Sequence, residues 1–177
     1  MGQDPLLDPD RLADHVDRLF RAAWGLCGSR EDAEDLVQET CARVIARPRR
    51  LRRGSEMAYL LRALRNTFLS SRRSAAREVD RFDLGHDSVT DLVDPLARLP
   101  DEAAEANEVY RAIASLPPHF RDAVVLVDVS GLSYAEAAEA LGLRPATLAS
   151  RVFRGRAQVV RTLDPPQSRA EARLRRV

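Results

Sequence analysis

Lysine is absent from this 177-residue chain, and all 28 basic side chains are arginine. The absence fits a GC-rich coding bias and carries no function by itself, although arginine gives bidentate contacts to guanine and phosphate. Cysteine is scarce. Cys27 and Cys41 each lie in an apolar-periodic stretch, a pattern that reads as buried free thiols in a reducing cytoplasm, not as a disulfide framework. There is no long apolar run and the first residues are acidic, so neither a membrane span nor a signal peptide is expected. His15, His86 and His119 are scattered without metal-ligand spacing, and no phosphate-binding glycine loop occurs. No catalytic residue, metal site or cofactor is therefore expected.

Net charge is nearly absent too, at +1, but the total hides an alternation. Residues 1–42 carry ten acids and four arginines, whereas residues 43–79 carry eleven arginines and two acids. Residues 80–109 return to nine acids against two arginines, and residues 144–177 carry nine arginines and two acids. Two basic blocks with an acidic stretch between them suggest two nucleic-acid surfaces.

Sustained strand-type alternation is also missing, and helical periodicity takes its place. Pro5 and Pro9 mark a loose lead-in. From Leu12, the positions Val16, Leu19, Phe20, Ala23, Trp24 and Cys27 define one helix, broken at Gly28–Ser29. Ser29 and Asp32 open a second helix with Ala33, Leu36, Val37, Cys41, Val44 and Ile45 along its apolar stripe, ending before Pro48. An arginine-rich loop from Arg47 to Gly54 leads to a third helix, which carries Tyr59, Leu60, Leu64 and Phe68. Its other side bears Arg62, Arg65, Asn66, Ser70 and Arg73. The pattern dissolves between about Asp80 and Asp101, where acids, Gly85, Pro95 and Pro100 read as a flexible linker. It resumes near Ala103, stops at Pro117–Pro118 and continues through Phe120, Val124 and Val127.

The most informative stretch runs from Ser133 to Arg156. Ser133 with Glu136 forms a capping box that starts a short helix. Ala135, Ala138 and Leu141 recur at helical spacing, Gly142 suits a left-handed helix end, and Pro145 fits the first turn of the next helix. Leu148 and Val152 then face inward, leaving Thr147, Ser150, Arg151 and Arg154 outward. This order is that of a helix-turn-helix, whose second helix enters the major groove.

Three motifs in order carry a family resemblance. Asp32-Ala33-Glu34-Asp35-Leu36-Val37-Gln38-Glu39-Thr40 looks like the second conserved helix of sigma factors, and Tyr59 to Arg73 is similar to the segment that follows it. Leu116-Pro117-Pro118-His119-Phe120-Arg121 with the helix-turn-helix resembles the C-terminal module. The chain thus resembles a bacterial sigma-70 family factor of the extracytoplasmic-function (ECF) group, over about residues 12–79 and 103–161.

That resemblance implies an all-α protein of two small helical domains. A region 2-like domain would span 10–79 and a region 4-like domain 103–163, joined by a flexible acidic linker at 80–102 and followed by an Arg-rich tail at 164–177. It implies that Asp35, Gln38 and Glu39 dock on the β′ clamp helices of core RNA polymerase, with the β subunit as a further contact. Arg62, Arg65, Asn66, Ser70, Arg72 and Arg73 would meet the −10 element, with Asn66 reading a base and the arginines following phosphates. Thr147, Ser150, Arg151 and Arg154 would read the −35 element, and Arg156 would hold phosphate. Promoter DNA and an anti-sigma factor are the further implied partners, and the cytoplasm is the implied location. The chain departs from the family pattern at Ala149, where a basic residue is common, at Tyr59, where many members have tryptophan, and at Ser70, where many have aspartate. The alternative reading of the residues alone is a stand-alone helix-turn-helix regulator that binds duplex DNA as a dimer.

Overall fold

The computed structural model describes residues 12–51, 56–82 and 101–164. The N-terminal lead-in, Arg52 to Ser55, most of the acidic linker (83–100) and the tail from 165 lie outside the described residues. All seven α-helices among the described residues follow from local chemistry. Helix α1 (Val16–Cys27) buries Leu19, Ala22, Ala23 and Leu26 on one face. A two-residue turn at Gly28–Ser29 leads into α2 (Arg30–Ala46), where the Ser29 hydroxyl accepts a hydrogen bond from the Asp32 amide. That cap satisfies one of the donors left free in a first turn. Helix α3 (Glu56–Phe82) lays Leu60, Leu61, Leu64 and Phe68 against both.

Helix α3 runs further than its apolar stripe suggests, through Ser70 to Phe82. Its last turns are rich in alanine and arginine, good helix formers that need no buried face to stay helical.

The second half begins with α4 (Asp101–Ala114) and α5 (Pro118–Val124). Helix α5 then widens into a turn of π-helix, Val125–Val129. The Ser130 amide and hydroxyl both donate to the Val125 carbonyl, at 2.9 Å each. A β-branched run of this kind is a weak helix former, and the serine supplies the partner that holds the wider turn. Helix α6 (Tyr134–Leu141) and helix α7 (Pro145–Leu163) complete the chain.

These two halves share one apolar core. Helix α1 packs on α4 and on the π-helical turn as well as on α2, and α3 meets α6. Gly25 makes the approach possible, because a Cβ there would sit 2.9 Å from Val125 Cγ2 and 3.6 Å from Ile113 Cγ2. No periodicity argument anticipates this seam, since it joins residues far apart in the chain.

Candidate nucleic-acid interface

The helix-turn-helix forms as its sequence dictates. Both halves of the capping box are present, with the Ser133 amide donating to Glu136 Oε2 at 2.9 Å and the Glu136 amide to Ser133 Oγ at 3.2 Å. The Ser133 hydroxyl, which donates to the same carboxylate oxygen, and then the Ser133 amide hold the Glu136 carboxyl below the usual carboxylate range. Gly142 takes φ 64°, a left-handed conformation that costs other residues about 1 kcal/mol or more. Pro145 occupies the first turn of α7, and Leu148 and Val152 are fully buried. The inward face of α6 differs from the sequence reading. Ala137 and Ala138 are buried and Ala135 is exposed, because a helix this short presents one tight patch where α7 crosses it.

On α7, Thr147, Ser150, Arg154 and Arg156 are exposed and Arg151 is half-buried. The first three, with Arg151, line one wall of an open groove of about 420 Å³, and His119 and Phe120 from the start of α5 line the other. Arg151 and Arg154 enter no ion pair among the described residues. Arg156 stands apart: it grips Asp128 with both Nε, at 2.9 Å, and a terminal nitrogen. Those hydrogen bonds, and then the aspartate charge, raise its pKa further above the ordinary arginine value. Sequence reasoning missed His119 and Phe120 as neighbours of the recognition helix, because only the packing of α5 on α7 brings them there.

The basic residues of α3 divide between two faces. Arg62, Asn66 and Arg73, spaced by four and seven, share an exposed face. Ser70 is half-buried at its edge. Arg65 and Arg72, seven apart, share the adjoining face, and there the C-terminal module intervenes. Arg65 Nε donates to Asp122 Oδ2 at 2.6 Å, and Asp122 is only 6% exposed. The Arg121 guanidinium lies 5.0 Å over the Phe68 ring and donates to the Ala114 carbonyl at 3.1 Å. Burial pulls its pKa down, against the opposing charge of Asp122.

The seam also stacks Trp24 on Tyr110, with centroids 4.4 Å apart and planes 12° from parallel, and ties Arg18 to the Ser130 carbonyl. Trp24 Nε1, Arg121 Nε and Asp122 Oδ1 are buried without a protein partner. Each such atom costs about 1–3 kcal/mol if it stays unpaired.

A third surface is acidic. Asp35, Gln38 and Glu39 are exposed on α2, while Leu36, Val37 and Val44 are buried behind them. Asp35 and Glu39 border an open groove of about 330 Å³ with Cys27, Phe68 and Arg72. Cys27 and Cys41 are both free thiols. Burial, and then the Asp32 charge, push the Cys27 thiol up to about 12, so it stays protonated at neutral pH. Among the described residues no helix is long and apolar enough to cross a membrane.

Among the described residues, a helix-turn-helix behind a second basic helix is the arrangement of an α-helical DNA-binding protein. Comparison with known proteins makes the class specific. Residues 12–78 match the model of sigma-70 region 2, and residues 106–159 match that of sigma-70 region 4. The ECF RNA polymerase sigma factor EcfG of Rhodopseudomonas palustris is 36% identical over 160 residues, covering 88% of this chain and 85% of that protein. The ECF RNA polymerase sigma factor SigE of Mycolicibacterium smegmatis is 37% identical over 155 residues, or 82% of this chain. That alignment spans only 57% of the mycobacterial protein. Among solved structures, the sigma factor RpoE in complex with the anti-sigma factor NepR, from Bartonella quintana, matches with a TM-score of 0.69 at 30% identity, covering 89% of this chain and 96% of that one. The chain belongs to the sigma-70 family, within its ECF group.

Proposed function

We propose that the chain binds core RNA polymerase and directs promoter-specific initiation by recognising −10 and −35 elements. It acts in the cytoplasm as a binding subunit without catalysis of its own. The observation that carries this reading is the exposed face of α7, where Thr147, Ser150, Arg151 and Arg154 stand on a helix seated by Leu148 and Val152. Arginines in such a position give bidentate base contacts, and small hydroxyls adjust to either strand. On α3, Arg62, Asn66 and Arg73 form the −10 face, with Ser70 at its edge and Arg65 and Arg72 beside it. A side-chain amide there has both a donor and an acceptor for an unstacked base.

Asp35, Gln38 and Glu39 form the polymerase contact on the β′ clamp helices, with the β subunit as a second contact. Their support is exposure on a helix whose other side is fixed in the core. An anti-sigma factor holds the protein inactive, in keeping with the complex that the Bartonella sigma factor forms with the anti-sigma factor NepR. The test is run-off transcription from host genomic fragments with bacterial core polymerase. Transcripts that need the added protein are expected, and their absence would reject the reading. Charge reversal by Asp35→Arg with Glu39→Arg should weaken polymerase binding by about tenfold or more while leaving duplex binding unchanged.

A further inference from the structure

His119 has no part in the chemistry described so far, yet the fold sets it beside the recognition helix. Helix α5 approaches α7 closely at Gly155, where an added Cβ would lie 2.6 Å from Val124 Cγ2 and 3.4 Å from the Phe120 carbonyl oxygen. The start of α5 is fixed as well, because the Phe120 and Arg121 amides both donate to the Pro117 carbonyl, at 2.9 and 3.0 Å. Phe120 is half-buried, and the His119 ring rests on it with centroids 4.1 Å apart and planes tilted by 58°. An exposed imidazole is thus held on one wall of the groove whose other wall carries Thr147, Ser150, Arg151 and Arg154.

That groove has the chemistry of an anion site. Arg151 and Arg154 are the charged side chains that line it with His119, and no carboxylate lines it among the described residues. Neither arginine enters an ion pair there. The dimensions of DNA then decide which of its parts fits. An α-helix with its side chains is about 10–12 Å across and the major groove is about 12 Å wide, so α7 fills the groove when it reads bases. Packed helices lie about 8–10 Å apart. The first turn of α5 therefore finds no room between the strands and comes to rest over the one that borders the groove. A residue there meets sugar and phosphate, not base edges.

We infer that His119 is a phosphate contact of the −35 site, its imidazole N–H donating to the strand beside α7 and fixing the register in which that helix sits. The inference rests on the −35 recognition proposed above and extends the DNA surface to a helix outside the helix-turn-helix. Even a neutral imidazole keeps one N–H to donate, so the contact does not require a charged ring. A contact of this kind positions the protein and carries no sequence information.

The test uses the full chain and a short duplex carrying a −35 element recovered by run-off, beside a second duplex in which that element is scrambled. Binding is measured over a series of salt concentrations at about pH 8, above the range in which imidazoles ordinarily charge. His119→Ala should weaken binding about tenfold, the worth of one hydrogen bond to a charged group, and by the same factor on both duplexes. His119→Arg places a full charge at the same point. It should match or exceed wild-type affinity and steepen the fall of log K with log salt by about 0.9, the counterion release of one phosphate. His119→Glu should weaken binding more than His119→Ala does and flatten that slope. A histidine with only a structural role would move neither slope.

Wild-type affinity and slope in all three variants would overturn the proposal. So would a loss in His119→Ala confined to the intact −35 element, because that is base reading. If His119→Ala loses helicity by circular dichroism, the opposite slopes expected of His119→Arg and His119→Glu decide the matter. A wild type that supports run-off transcription while the variants bind as it does keeps the initiation function and removes only the His119 contact. A wild type that neither transcribes nor binds the duplex removes both.

Discussion

The chain presents two basic surfaces, and they differ in what already occupies them. On α7, Arg151 and Arg154 face an open groove without an acidic partner among the described residues. On α3, Arg65 is spent on a buried carboxylate from the other module. Each surface also has one arginine–aspartate pair, and the pairs differ in solvent. The Arg65 and Asp122 side chains are 31% and 6% exposed, against 54% and 27% for Arg156 and Asp128. Identical chemistry does two jobs here. In the seam a buried aspartate depends on its arginine, whereas on α7 water stands ready to replace either partner.

The largest effect should come from the open surface. Arg151→Ala with Arg154→Ala should weaken binding to a −35 duplex by about 30- to 1,000-fold, if each removes a good base or phosphate contact. Polymerase association, measured by co-sedimentation, should persist. An unchanged affinity would mean that α7 does not read DNA through these arginines, and the two surfaces would lose their contrast.

The seam comes next. Arg65→Ala leaves Asp122 buried without its partner and should lower stability by about 2 kcal/mol, less than for a fully buried pair because Arg65 is about one-third exposed. Arg156→Ala should change stability by no more than about 1 kcal/mol, since both members of its pair with Asp128 are more exposed than those of the seam pair. Urea denaturation of the two variants side by side measures the comparison directly. Equal losses would break it, because burial would then not distinguish the pairs.

Much of the C-terminal module is legible in the sequence. Ser133, Glu136, Gly142 and Pro145 each have a backbone role set within a few residues, so spacing alone reveals them. The burial of Leu148 and Val152 follows from the same period. Ala135 is misplaced by that reasoning because the four alanines in α6 are chemically alike, and only the crossing of α7 decides which of them are covered. The seam is illegible for a different reason. Arg65 and Asp122 are 57 residues apart in the chain and Arg18 and Ser130 are 112 apart, and no local pattern encodes such pairs. The sequence groups Arg62, Arg65 and Arg73 on one −10 surface, whereas helical phase and the second module divide them.

The smallest effect tests whether the helix-turn-helix keeps its geometry independently of the seam. Ser133→Ala should cost about 1 kcal/mol, the usual worth of an N-cap, with little change in Arg65–Asp122. Its partner adds a pH signature. Glu136 is held below the usual carboxylate range by the Ser133 hydroxyl and then its amide. A carboxylate with a depressed folded pKa stabilises fully above its unfolded value, and the contribution fades as pH falls through the folded one. The difference in melting temperature between wild type and Glu136→Gln should therefore be largest near neutral pH and shrink on acidification below the ordinary glutamate range. A difference that grows in acid would reverse the sign and show that the box is not held by the ionised carboxylate.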